Sequence, residues 1–144
     1  LELGLERSVA SRLQISAGYA WQNSEIRREI FVSGQRIPAG RDNPLVPRHS
    51  FSLWSKYQFD RSFAAGLGVL ARSKSYASLL NTRTTLPGYA RLDGALYYRV
   101  APGIEAQLNV ENITNRDYFP TAHNDNNIAP GAPRTARLTL RADF

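Results

Sequence analysis

From Leu86 to Phe144 the chain alternates between apolar and polar residues, and that period of two limits the folds open to it. Ala90, Leu92, Leu96, Tyr98 and Val100 share one parity, and Arg91, Asp93 and Arg99 share the other. Ile104, Ala106, Leu108 and Val110 oppose Glu105, Gln107, Asn109 and Glu111. Ala136, Leu138, Leu140 and Ala142 oppose Arg137, Thr139, Arg141 and Asp143. Such alternation marks strands with one apolar face. The polar face carries full charges at strand centres, and the strands are long. Both features suit a sheet with lipid outside and a wet lumen inside.

The same pattern runs back to the start. Strands are expected at Leu1–Val9, Arg12 to about Glu25, Pro47–Phe59 and Ser62 to about Leu79, before three more in Leu86–Phe144. The turns between them alternate in length. Ala10-Ser11, Asp60-Arg61 and Ala101-Pro102-Gly103 are short. The stretches 27–46, 80–85 and 120–132 are longer, and Gly34, Pro38, Gly40 and Pro44 mark the first of these as a loop, with Glu29–Val32 extending the strand before it. Short turns at one end and long loops at the other fit an up-and-down antiparallel transmembrane β-barrel. Gly66 and Gly68 face the lumen side, where a plug or a close backbone would press.

Aromatic residues gather at strand ends. Tyr19 and Trp21 belong to one interfacial girdle; Tyr57, Phe59, Tyr98 and Phe144 belong to the opposite one. Tyr76, Tyr89, Tyr118 and Phe119 sit near the long loops and are also assigned to a girdle. Seven strands cannot close around a wide lumen, and open edges are not tolerated in lipid. The expected unit, over residues 1–144, is therefore part of a larger barrel. The chain opens in mid-pattern at Leu1-Glu2-Leu3 and contains no Met and no Cys. The missing Cys removes disulfides, thiol catalysis and thiolate metal sites.

A family resemblance rests on the same stretch. Asn109-Val110-Glu111-Asn112-Ile113-Thr114-Asn115-Arg116-Asp117-Tyr118 resembles a signature near the C-terminus of TonB-dependent outer-membrane receptors. Leu86-Pro87-Gly88-Tyr89 with Leu92-Asp93, and Pro130-Gly131-Ala132-Pro133-Arg134 before the last strand, resemble the same family. The likeness is to its siderophore-receptor branch. It implies a barrel of about 22 strands plugged by an N-terminal domain, located in the bacterial outer membrane. It implies active uptake of a ferric siderophore, with energy passed through TonB to the plug. By this resemblance residues 1–144 would be the C-terminal portion of the barrel domain, with no plug domain in this stretch, and would supply wall and extracellular loops. A terminal Phe144 after alternating apolar residues is similar to the signal read by the barrel-insertion machinery.

The net charge of +6 is spread along strands and loops, without the helix or cluster that nucleic acid would need. In the first long loop Arg27, Arg28, Arg36 and Arg41 outweigh Glu29 and Asp42; Arg72, Lys74 and Arg83 lie near the second. Basic residues at an outer rim bind lipopolysaccharide phosphates or attract an anionic ferric chelate. In the last loop His123, Asn124 and Asn126 offer polar contacts to a ligand, or form an ordinary solvated turn. His49 and His123 lack metal-ligand spacing, so no metal site is expected, and iron would travel inside its chelate. No G-x-S-x-G pattern is present, and nothing else asks for an enzyme. Two alternatives remain open at this level. One is a passive porin-like barrel. The other is a soluble sheet protein of lipocalin type, with its apolar face turned inward, since alternation alone does not say which face meets water.

Overall fold

The computed structural model describes residues 1–80 and 84–143. It is all-β among the described residues. The strands are β1 (Glu2–Ala10), β2 (Leu13–Trp21), β3 (Ile30–Val32), β4 (Gln35–Ile37), β5 (His49–Gln58), β6 (Phe63–Arg72) and β7 (Ser75–Tyr76). They continue with β8 (Thr85–Leu86), β9 (Tyr89–Ala101), β10 (Ile104–Glu111), β11 (Thr121–Asn124), β12 (Asn127–Ala129) and β13 (Thr135–Ala142). One 7-stranded sheet runs β1-β2-β5-β6-β9-β10-β13, each strand antiparallel to its sequence neighbour in that order. This is the expected up-and-down wall. β1 and β13 are its two edges.

The register shows how alternation becomes two faces. One row reads Leu5, Ala17, Leu53, Val69, Leu92. A second reads Leu13, Tyr57, Ala65, Leu96, Leu108, Leu138. On the opposite face a row reads Glu6, Ser16, Trp54, Gly68, Asp93, and another Ser8, Gln14, Lys56, Gly66, Ala95, Asn109, Arg137. Much of the apolar face is open: Leu138 is 68% exposed, Leu140 71% and Leu67 51%. A contiguous apolar face of this size is costly in water and suited to lipid. Two polar residues interrupt it in one row. The Ser55 hydroxyl donates to the Leu67 carbonyl at 3.2 Å, and Arg7 sits at the sheet edge, opposite Ile15.

The polar face is packed with side chains at one point in particular. The Trp54 indole lies over Gly66 and Gly68, where an added Cβ would overlap its ring. These glycines therefore make room for an indole of the same wall, where the sequence suggested a plug or a close backbone. Beside it Lys56 Nζ stands 4.0 Å from the centre of the Tyr97 ring.

Several strand ends fall short of their expected limits. The first turn is at Ser11-Arg12, one residue later than expected, because the register slips between Ser8 and Ala10. β2 stops at Trp21 and β6 at Arg72. β10 stops at Glu111, because Asn112 and Asn115 adopt left-handed backbone, with φ of 52° and 49°. Glu29–Val32 does not extend β2. Ile30–Val32 instead pairs with Gln35–Ile37 in a separate ribbon, turned at Ser33 and Gly34 with φ of 50° and 78°, as a type I′ turn requires. The last loop holds a second ribbon, β11–β12, and the middle loop a third, β7–β8.

Candidate functional site

The three short turns lie at one end of the wall and three long loops at the other. We refer to the long loops as outer loop 1 (residues 22–48), outer loop 2 (73–88) and outer loop 3 (112–134). At the short-turn end, Tyr57 and Tyr98 stand on the apolar face by register. Phe59 meets Tyr57 edge-on at 5.0 Å between ring centres and stacks on Phe63 at 5.3 Å. Asp60 closes the turn, accepting from the backbone amides of Ser62 (2.7 Å) and Phe63 (2.8 Å). Those two bonds, aided by Arg12, hold its carboxyl below the usual carboxylate range despite a small opposing effect of burial. At the loop end Tyr19 stacks on His49, its hydroxyl 2.8 Å from Nδ1, and Trp21 is opposite His49 in the register. Phe144 lies outside the described residues.

Outer loop 1 stands on a zipped stem. Ile26 exchanges backbone bonds with Arg41 and Gly40, Glu25 bridges to Asp42, and Asn43 Nδ2 donates to Ser24 Oγ. Ile26 and Ile37 are buried beneath it, and Ile37 is only 2% exposed. The four arginines expected to act together are not equivalent. Arg36 is paired with Glu29 at 2.6 Å. Arg41 is half-buried with its backbone in the stem. Arg27 and Arg28 are exposed and make no ion pair among the described residues. Arg41 makes none either, but it is half-buried, so Arg27 and Arg28 are the exposed unpaired arginines of this loop among the described residues. Next to them the ribbon presents Phe31, 68% exposed. Arg83 lies outside the described residues.

In outer loop 3, His123, Asn124 and Asn126 are exposed around the turn of the β11–β12 ribbon. Asn124 Oδ1 accepts from the Asn126 amide at 2.9 Å, so that side chain shapes its own turn. No hydrogen bond or ion pair among the described residues joins this trio to the arginines of outer loop 1. No group of three His, Asp or Glu side chains that could hold a metal is present among the described residues.

The best-built polar cluster is one that sequence reasoning treated only as a family signature. Asn112 is buried, with 1% of its surface exposed. Its Nδ2 donates to the carbonyls of Arg116 (3.0 Å) and Ala132 (3.1 Å), and its Oδ1 accepts from the Arg116 amide at 3.0 Å. Its own amide donates to Asp93 Oδ1 at 2.9 Å. The other oxygen of Asp93 takes two bonds from Arg91, which also donates to the Tyr118 hydroxyl at 3.1 Å. Tyr118 packs on Tyr89 with ring centres 4.7 Å apart. Tyr89 and Tyr118 thus belong with Arg91 on the polar side, and not to the lipid girdle expected for them. A pairing between Tyr118 and Arg91 at a separation of 27 residues leaves no periodic trace in a sequence. This cluster ties the departure and return of outer loop 3 to the wall. Its carboxylate and guanidinium satisfy each other, so its chemistry is structural.

Comparison with known proteins sets this arrangement in context. The profile of the family described as "TonB dependent receptor-like, beta-barrel" matches residues 1–113. Among curated proteins, the chain is 32% identical to the probable TonB-dependent receptor BfrD of Bordetella pertussis, covering 100% of this chain and 20% of that protein. It is 30% identical to the probable TonB-dependent siderophore receptor PiuA of Acinetobacter baumannii, over 99% of this chain and 20% of that one. The crystal structure of PiuA superposes with a TM-score of 0.88 at 28% identity, covering 98% of this chain and 21% of its own. The open form of the ferric-catecholate import receptor Fiu from Escherichia coli K12 gives 0.77 at 27% identity, covering 99% and 20%. The chain thus spans about a fifth of the length of these relatives. With the profile matched over most of its length and the wall superposing on receptor barrels, this chain belongs to the TonB-dependent receptor β-barrel family.

Proposed function

We propose that the intact protein carries a ferric siderophore across the bacterial outer membrane, and that this chain is the C-terminal portion of its barrel, supplying wall and outer loops. The observation that carries this reading is family membership joined to a wall whose apolar face is open to lipid and whose other face is polar and charged. Family membership is what separates it from a lipocalin-type protein, which would turn its apolar face inward. The iron travels inside its chelate, and no catalytic step is assigned to any residue. Energy arrives from TonB through a plug domain, and the C-terminal strand with Phe144 addresses the barrel-insertion machinery. Lipid and lipopolysaccharide cover the outer face of the wall.

Within this reading Arg27 and Arg28 draw the anionic chelate to the outer surface, because they are both exposed and without an ion-pair partner among the described residues. Arg36 contributes less, being paired with Glu29. The test is equilibrium binding of an anionic ferric chelate to the intact receptor, at low and high salt. Replacing Arg27 and Arg28 by Gln should weaken binding at low salt, and the difference should shrink as salt screens it. Unchanged binding at low salt would remove these arginines from ligand capture and leave them to lipopolysaccharide phosphates.

A further inference from the structure

Among the described residues, outer loops 2 and 3 meet at a small, two-part contact. The apolar part is Ala77, Leu86 and Ala122, all buried, with Leu86 at 2% exposure. The polar part is centred on Asp125, at the turn of the β11–β12 ribbon. Ser78 Oγ donates to Asp125 Oδ2 at 2.8 Å, and Thr84 Oγ1 donates to the Asp125 carbonyl at 3.0 Å. Ser78 and Thr84 lie on the two arms of outer loop 2, and the Ala77 amide joins those arms by donating to the Thr84 carbonyl at 3.0 Å. One residue of outer loop 3 therefore holds both arms of outer loop 2. The contact spans 47 and 41 residues of sequence, so it joins elements that the wall sheet does not pair.

We propose that Asp125 is a latch that makes outer loops 2 and 3 a single body, and thereby fixes the position of the His123, Asn124 and Asn126 turn. Ribbons with strands of two to four residues are too short to hold a position alone. The area under Ala77, Leu86 and Ala122 is small, so the hydrogen bonds of Asp125 decide whether the two ribbons open together or separately. Asp125 is a positioning residue here. Its consequence for ligand capture rests on the function proposed above; the coupling of the loops does not.

The experiment is hydrogen exchange, read by mass spectrometry on the intact receptor without ligand. Peptides covering residues 75–86, 121–129 and 30–37 report the three outer loops, and peptides from β10 report the wall. Asp125→Ala removes the acceptor of Ser78 and leaves the backbone carbonyl that Thr84 meets, so combined with Thr84→Val it should speed exchange about tenfold or more in both 75–86 and 121–129, leaving 30–37 and β10 unchanged. Asp125→Asn keeps an acceptor for Ser78 and should stay near the parent. If that double variant does not insert, the pair Ser78→Ala with Thr84→Val removes the partners' hydroxyls and should give the same two-loop signature. Acceleration confined to 121–129, or no acceleration, would overturn the latch. Ligand binding measured on the same variants is a separate readout: coupled loops with unchanged binding would keep the latch and reject its part in capture.

Discussion

Gly131 lies against the ring of Tyr118, so close that a Cβ on Gly131 would overlap the ring atoms. The Gly131 amide also donates to the Tyr118 carbonyl at 2.7 Å. The glycine is required here by approach and not by a left-handed backbone. Gly131→Ala should push Tyr118 off Tyr89 and away from Arg91. We expect a loss of about 1–3 kcal/mol, the usual cost of overpacking, in unfolding of the intact receptor in detergent. In a Tyr118→Ala background the same substitution should cost almost nothing, because the clash is gone. An equal cost in both backgrounds would place the constraint in the backbone instead.

Asn112 gives a second prediction. Its side chain makes three hydrogen bonds while buried, and its φ is 52°. Asn tolerates that backbone better than most residues. Asn112→Ala leaves two carbonyls and an amide without partners, at about 1–3 kcal/mol for each group left unsatisfied. Asn112→Gly relieves the backbone but restores no bond, so it should rescue only a small part. Asn112→Asp keeps the acceptor for Arg116 and loses both donations, and should be nearly as damaging as Ala. Stabilities ranked with Asp close to the parent would show that the two donations contribute little.

The wall was legible in the sequence because a period of two survives any register, and short and long connections alternate visibly. The loops were less legible. Glu29–Val32 reads as an extension of the strand before it; the positive φ at Ser33 and Gly34 instead folds Ile30–Val32 back onto Gln35–Ile37. Arg27, Arg28, Arg36 and Arg41 looked equivalent because composition does not show that Glu29 reaches Arg36 across the ribbon. Gly66 and Gly68 were seen as a close approach, but the approaching group is Trp54, from the neighbouring strand. The Arg91–Tyr118 contact depends on a loop returning to its own strand, and nothing local encodes that return.

Asp60 provides a pH prediction outside the membrane. Its carboxyl is held below its ordinary value of 3.8 by the amides of Ser62 and Phe63. A carboxyl lowered in the folded state adds stability above its unfolded pKa, and that stability is lost as pH falls through the lower, folded value. The β5–β6 turn should therefore loosen only in acid below about 3.8. A carboxyl-detected titration should give a midpoint under 3.8 for Asp60. A midpoint at or above it would contradict the two amide bonds. Asp60→Asn should remove the acid dependence of this turn while keeping part of its hydrogen bonding.

The assignment of faces yields the sharpest test of the membrane reading. Leu67 sits in the middle of β6, opposite Ser55 and Gly94, and is 51% exposed on the apolar face. Gln107 sits in β10, opposite Tyr97 and Thr139, on the polar face. If lipid covers the first face and water or protein the second, one cation has opposite consequences at the two sites. Leu67→Lys should cost about 2–4 kcal/mol, as a charge does near the bilayer midplane. Gln107→Lys should cost well under 1 kcal/mol, about the effect of an ordinary surface change. The measurement is reversible unfolding of the intact receptor in lipid vesicles, with both variants compared to the parent. The same pair in a soluble sheet protein with an apolar interior would also penalise Leu67→Lys, so vesicles are the deciding condition. Quenching by brominated lipid, taken as the difference between the intact receptor and its Trp21→Phe variant, should then show the loop-end girdle in contact with acyl chains. An unquenched Trp21 together with equal costs at both positions would reject the assignment of the apolar face to lipid.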